Sequence, residues 1–310
     1  MVITGEAHAN AVTQQLRELR GSDLVLEPSP RDSAAAIGLA SAILYQRDPE
    51  AIIGSFAADH VIDPVEDFQA VVREAVAAAA TGKVVTIGIE PTEPSTAFGY
   101  IKASKSLGAK DAPHALAVEE FVEKPDVQTA SAYLATGDYT WNAGMFVAPA
   151  QLMLKHIEAN EPELYAGIMQ IAGAWDTPER DATMNRVWDT LPKTAIDYAV
   201  AEPAAAVGDV AMVPGSFSWD DVGDFDAVAR LNIEKTGDDL FVLGDKNNVI
   251  TEDSTGIIVN NTHRKISVIG ISDVVIVDTA DALLVTVRDD AQSVKNTVAK
   301  LKEQGLNNLL

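Results

Sequence analysis

Short apolar runs alternate with amphipathic stretches through the first part of the chain. Leu24-Val25-Leu26, the run from Ala51 to Phe56 and the run from Val84 to Ile89 are brief and almost wholly apolar. Between them, Ser33 to Tyr45 and Val65 to Ala80 repeat apolar residues at helical spacing. This alternation predicts an α/β sheet with crossover helices. The helix after Arg31-Asp32-Ser33 has Ala35, Ile37, Leu39, Ala40 and Ile43 on one face. Asp32 or Ser33 is suited to cap its first amides, and the same geometry serves an anion site.

The texture changes after Asp226. Val228 to Glu234 close a helical stretch, and Lys235-Thr236-Gly237-Asp238-Asp239 reads as a polar link. The expected division is therefore 1–234 and 235–310. Beyond the link come short β-rich runs at Leu240–Leu243, Val249-Ile250, Gly256–Val259, Ile266–Ile269, Val274–Val277 and Leu283–Val287, with Asn and Gly between them. They predict a small all-β or coiled-β module closed by a helix over Ala291–Lys302, without a strict repeat.

Composition narrows the chemistry. The 310 residues are 47% hydrophobic and 22% charged, enough for a large core and a second, smaller domain. A formal charge of -23 repels phosphate backbones, which argues against general nucleic-acid binding, yet it admits a nucleotide enzyme if magnesium offsets phosphate charge locally. Without cysteine, thiolate chemistry is excluded and catalysis falls to carboxylates, amines or metals. Neither a signal peptide nor an apolar run of membrane-spanning length is present, so the expectation is a cytoplasmic protein with no membrane partner.

Four places put polar groups where an open α/β sheet binds ligands, beyond its strands. In Ser55-Phe56-Ala57-Ala58-Asp59-His60 an apolar strand runs into a carboxylate suited to magnesium or to a turn, with His60 read as packing or turn. Trp219 to Phe225 holds Asp220, Asp221 and Asp224 among large apolar residues, a second source of a metal ligand or a solvated face. Glu119 to Pro125 reads as an edge strand ending in Glu123-Lys124, whose side chains would alternate between faces. Asn142, among small residues, is either a hydroxyl-binding amide or a turn before a buried strand.

In chain order stand Glu27-Pro28-Ser29-Pro30-Arg31 ahead of a helix, Ala58-Asp59-His60, Phe98-Gly99-Tyr100-Ile101, Phe121-Val122-Glu123-Lys124-Pro125, Trp141-Asn142-Ala143-Gly144-Met145-Phe146, Ile196-Asp197-Tyr198-Ala199 and Trp219-Asp220-Asp221-Val222-Gly223. Together they resemble the nucleotidyltransferases that make sugar nucleotides. Glu27 to Ile37, Ile196 to Ala199 and Val275 to Val285 are most similar to the mannose-1-phosphate guanylyltransferase family. The resemblance spans nearly the whole chain.

The resemblance implies a Rossmann-like, GT-A-like mixed sheet with flanking helices, followed by a small β-rich domain. It implies attack of mannose 1-phosphate on the α-phosphorus of GTP, giving GDP-mannose and pyrophosphate, with Mg2+ as cofactor and no protein nucleophile. By the same likeness Asp59 and Asp221 hold the metal, and Lys124 stands near the sugar phosphate; these three form the catalytic set. Glu27, Arg31, Asp32 and Ser33 lie at the nucleotide, and Gly99, Glu123, Asn142 and Asp197 at the sugar. A homodimer is the default for such a soluble enzyme. Two alternatives stand beside this reading: a non-catalytic sugar-nucleotide-binding regulator or partner subunit, and a pyrophosphorylase for another sugar 1-phosphate or nucleotide. A dinucleotide oxidoreductase is unsupported, because no Gly-x-Gly-x-x-Gly follows a strand.

One departure qualifies the likeness. The family opens with a strand and a loop reading Gly-x-Gly-Thr-Arg-Leu-x-Pro, followed by a lysine, and nothing in these 310 residues reads that way. The expectation is either a start site set too late or a truncation, the second with little or no transferase activity.

Overall fold

In the computed structural model, residues 1–306 and 309 are described. The remaining positions of the expected 235–310 domain lie outside the described residues. The chain parts into two compact units, one of residues 1–58 and 62–219 and the other of 59–61 and 220–310.

The chain opens with β1 (Val2–Gly5), α1 (Ala9–Gln15), β2 (Leu24–Glu27), α2 (Asp32–Arg47), β3 (Ile52–Ser55), β4 (His60–Asp63, its first two residues in the second unit), α3 (Val65–Ala79) and β5 (Val84–Ile89). It continues through β6 (Tyr100–Ser106), β7 (Leu116–Val122), α4 (Val127–Thr136), β8 (Tyr139–Pro149), α5 (Ala150–Asn160), α6 (Pro162–Ala174), α7 (Arg180–Val187), α8 (Glu202–Ala206) and β9 (Val210–Pro214). A six-stranded mixed sheet runs β3-β8-β5-β9-β7-β6, in which only β5 and β9 are parallel neighbours. β1 and β2 form a separate parallel pair.

All six residues of β5 are buried, as a strand covered on both faces requires. On one side of the sheet Leu39, Ile43, Ile157, Ile168 and Trp188 pack together from α2, α5, α6 and the turn after α7. On the other, Val71, Ala75 and Ala78 of α3 meet Val85, Ile87 and Val213. Small residues dominate α2, and this lets α5 and α6 approach: a Cβ added at Gly38 would stand 2.9 Å from Ile168 Cδ1.

β7 reads as an edge strand in the sequence because Glu119 and Glu120 interrupt its apolar pattern. It is instead interior, between β9 and β6. Its pairing with β9 spans only Leu116 and Ala117, so the charged positions further along are free of that neighbour.

β10 (Ser218–Asp221) pairs with β4. The second unit continues with α9 (Phe225–Thr236), β11 (Leu240–Gly244), β12 (Val249–Glu252), β13 (Gly256–Asn260), β14 (Ile266–Ile269), β15 (Val274–Asp278), β16 (Leu283–Val287) and α10 (Val294–Glu303). The chain forms a coil. β11, β13 and β15 stack in parallel on one side, β12 and β14 on another, and β16 returns antiparallel along β15. Leu240 pairs with Gly256, which pairs with Val274, so successive turns take 16 and then 18 residues. Unequal turns hide this period in the sequence. Gly256 has φ +127, and a Cβ there would overlap the Val274 carbonyl, so the tight stacking needs glycine.

α9 precedes the expected boundary after Glu234 but packs with the coil. Val228, Ala229 and Ile233 lie against Ile257, Val259 and Val275. Its amphipathic texture resembles that of the helices before it, and only its partners separate it from them. Ala291–Lys302, expected as one helix, divides into a 3-10 segment over Arg288–Ser293 and α10. Among the described residues, no helix is long and apolar enough to cross a membrane.

Candidate active site

Asn142 stands inside β8, where the pairing with β5 changes register: Thr86 faces Phe146, while Gly88 faces Asn142. Two steps along β5 thus oppose four along β8, a bulge accommodated by Gly144 at φ +67. The bulge turns the Gly144 N–H back onto Asn142 Oδ1 at 3.1 Å. The fully buried Thr86 donates its hydroxyl to the same oxygen at 2.6 Å. Asn142 Nδ2 in turn donates to Asp197 Oδ1 at 3.0 Å, and its backbone N–H donates to the Gly99 carbonyl at 2.8 Å. The turn expected before a buried strand is therefore a bulge within it.

Glu123 and Lys124 follow β7 directly. The strand has ended, so their side chains do not alternate: Lys124 takes φ +47, and its Nζ lies 3.2 Å from Glu123 Oε1. A Cβ at Gly99 would stand 2.6 Å from Glu123 Oε2 and 3.4 Å from Asn142 Cβ, which fixes why glycine occupies that position. Glu202 Oε1 accepts the Glu123 backbone N–H at 3.0 Å. Burial, and then the charge of Asp197, push the Glu123 carboxyl up to about 7, with Lys124 working in the opposite direction. Asp197 is likewise raised by burial, offset by hydrogen bonding and by Lys124. Gly99, Glu123, Asn142 and Asp197, grouped in the sequence by likeness, and Lys124 beside them thus form one connected set. Two carboxylates beside one ammonium, with Glu202 behind Glu123, suit a ligand rich in hydroxyl donors with an anionic end.

The turn ahead of α2 is pinned to the segment before Asp197. Arg31 donates to the carbonyls of Asp189 and of Leu191, the latter at 3.1 Å, and to the Asp189 carboxylate at 3.3 Å. Ser33 Oγ accepts from the Ile196 N–H at 2.9 Å, so it does not cap the helix. Asp32, at φ +65, accepts from the Ser33 N–H at 2.8 Å. Burial raises the Glu27 carboxyl. Of these four, Ser33 reaches the segment that leads into Asp197, through the Ile196 N–H.

The three carboxylates after Trp219 have three different settings. Asp220 pairs with Arg230 at 2.8 Å, and Asp224 caps α9 by accepting from the Ala227 N–H at 2.9 Å. Asp221 meets Asp59 and His60, with one ligand atom from each within 4.8 Å of the others. The Val222 N–H donates to the Asp59 carbonyl at 3.0 Å and ties the two segments together. Two carboxylates offer the oxygen donors that magnesium takes, while an imidazole suits softer divalent metals, so the residues present fit a divalent cation.

Sequence reasoning missed Thr86, Glu202 and the convergence of His60 with the two aspartates. Val84-Val85-Thr86-Ile87 reads only as a buried strand. Glu202 lies five residues after Asp197, a spacing that an ordinary α-helix would send to different faces. The intervening Asp197–Ala201 turn is a π-helix, a form that concentrates at functional sites.

Residues 1–236 match the Nucleotidyl transferase family model, and residues 247–301 match the model described as a MannoseP isomerase/GMP-like beta-helix domain. Xanthan biosynthesis protein XanB of Xanthomonas campestris pv. campestris (strain B100) is 37% identical over 98% of this chain. A mannose-1-phosphate guanylyltransferase of Escherichia coli K12 is 34% identical over 98% of it. The chain spans 63% of the length of each of these curated relatives. The solved structure of a Thermus thermophilus protein, described as a mannose-1-phosphate geranyltransferase, superposes with a TM-score of 0.79 at 27% identity, covering 97% of this chain and 83% of that one. The mixed sheet with its flanking helices is accordingly the GT-A-like nucleotidyltransferase fold, with a β-helical module after it. The chain belongs to the nucleotidyl transferase family.

Proposed function

We propose that the protein transfers the guanylyl group of GTP to mannose 1-phosphate, giving GDP-mannose and pyrophosphate. The observation that carries this reading is the connected site of Gly99, Glu123, Lys124, Asn142 and Asp197, in a chain whose relatives include a mannose-1-phosphate guanylyltransferase. Glu123 and Asp197 accept hydrogen bonds from sugar hydroxyls, and the Lys124 ammonium balances the sugar phosphate. Glu27, Arg31, Asp32 and Ser33 serve the nucleotide. Asp59 and Asp221, with His60, hold a divalent cation, Mg2+ in this reading, which when bound offsets charge on phosphate oxygens. The reacting phosphate oxygen comes from the substrate, so the chain's own residues orient two anions and screen their repulsion.

The same proposal divides the chain into a transferase domain over 1–234 and a β-rich domain over 235–310. It makes the protein a cytoplasmic homodimer with no nucleic-acid or membrane partner, in keeping with the charge of -23.

Pyrophosphate release from GTP, mannose 1-phosphate and Mg2+ tests the reading, with ATP and glucose 1-phosphate as controls and calorimetric titration of GDP-mannose in parallel. Release that requires all three components is expected. Binding of GDP-mannose without release would instead favour a sugar-nucleotide-binding regulator, and neither binding nor release would overturn both.

A further inference from the structure

We propose that Thr86 is a positioning residue that locks the Asn142 amide so that it offers a ligand one N–H donor and no acceptor. The inference rests on the sugar-site reading above and assigns that site a rule of selection. Its basis is the bonding inventory of Asn142. A side-chain amide has two acceptor positions on oxygen and two donors on nitrogen, and in most settings its two orientations are hard to tell apart. Here the Gly144 backbone N–H settles it, because it only donates and stands 3.1 Å from Oδ1. The second position on Oδ1 is filled by the Thr86 hydroxyl at 2.6 Å. On the nitrogen, one hydrogen goes to Asp197 Oδ1 at 3.0 Å. One N–H remains.

The surrounding groups complete the rule. Glu123 and Asp197 are carboxyl groups, and the Lys124 ammonium, 3.2 Å from Glu123, is assigned to the sugar phosphate in the reading above. A sugar hydroxyl seated against Asn142 accepts from its remaining N–H and donates to a carboxylate, using both of its capacities at once. An analogue in which that hydroxyl is replaced by hydrogen satisfies neither partner, and one with fluorine cannot donate. Thr86 is the member of the arrangement that touches no ligand. It is fully buried in β5, and its hydroxyl is the only polar group its side chain has to offer the amide.

The substitutions separate this role from simple packing. Thr86→Val keeps the volume but sets a methyl group where the hydroxyl approaches Oδ1, too close for carbon against oxygen, so the amide must leave its position. Thr86→Ser keeps the hydroxyl. Calorimetric titration of the full chain with GDP-mannose is expected to show Thr86→Val binding about tenfold more weakly and Thr86→Ser within about twofold of the parent. The parent is expected to discriminate against at least one of the 2-, 3- or 4-deoxy forms of the mannosyl ring, and Thr86→Val to lose that discrimination. Asn142→Ala serves as the reference. If Asn142→Ala binds GDP-mannose as well as the parent, the sugar-site reading itself fails. If Asn142→Ala is weakened while Thr86→Val is not, or if Thr86→Ser is weakened as much as Thr86→Val, the positioning role of Thr86 is overturned. Should Thr86→Val lack a cooperative thermal transition, Thr86→Ala decides by the same comparison, since it removes the hydroxyl without adding a contact.

Discussion

The network around Asn142 and the cluster of Asp59, His60 and Asp221 are both assembled from distant parts of the chain, but by different means. Asn142 is 5% exposed, and three of its four amide bonding positions are taken by Thr86, Gly144 and Asp197. Its neighbours are strands and helices of a thick core, so each side chain has one place to be. Asp59 is exposed, and it meets Asp221 through a backbone hydrogen bond between two short segments. The first arrangement is complete before a ligand arrives. The second brings two carboxylates close together, a repulsion that a bound cation would relieve. A preorganised site responds steeply to small displacements, whereas a cluster of ligand atoms responds to loss of a donor.

The largest expected effect tests the first half of that contrast. Gly99→Ala would put a methyl group 2.6 Å from Glu123 Oε2, so the Glu123 carboxyl has to move from its place in the network. Affinity for GDP-mannose should fall by about two orders of magnitude, while far-UV circular dichroism stays that of the parent. An unchanged affinity would mean that the network tolerates displacement and is not preorganised.

The second effect tests the cluster. Asp221→Asn should weaken Mn2+ binding, read by electron paramagnetic resonance, by about tenfold or more. It should also abolish the rise in thermal midpoint that Mn2+ gives the parent. Retained Mn2+ affinity would remove Asp221 from the ligand set.

The smallest effect concerns charge. Glu123 titrates at about 7 in the fold, against an ordinary glutamate value of 4.5. Across that interval the unfolded chain has released the proton while the folded one keeps it, so stability falls as pH rises from 4.5 to about 7 and the deficit then persists. Glu123→Gln removes the titration. Thermal melts should show a midpoint on the order of 2 °C above the parent at pH 8 and no such gain near pH 4.5. A gain of equal size at both pH values would show that Glu123 is not held protonated by its burial.

Much of the fold was legible because it follows from local repetition. The apolar run Val84–Ile89 is β5, the alanine-rich stretch is α2, and the short runs after residue 240 are the strands of the coil. Candidate members of the site were named from the sequence, but their connections were not legible in it. Glu123, Asn142 and Asp197 were identified by likeness, yet nothing in the sequence indicated that Thr86 would meet Asn142, 56 residues away, or that Glu202 would hold the Glu123 backbone from 79 residues away. Composition did not separate the three aspartates after Trp219, and only the likeness singled out Asp221; the structure gives Asp220 an ion pair, Asp224 a helix cap and Asp221 a place beside Asp59 and His60.

By itself, then, the sequence determined where most strands and helices form, the two-part organisation, the acidic charge and the polar residues that stand at the ends of apolar strands. Backbone periodicity and composition are properties of neighbouring residues. Only the tertiary structure decided which polar atoms meet. The register shift between β5 and β8 turns Asn142 toward Thr86 and Gly144, the π-helical turn sets Asp197 and Glu202 beside it, and the end of β7 lets Lys124 fold back onto Glu123. Each is a departure from regular geometry, and a pattern that reports regular geometry carries no record of where it breaks.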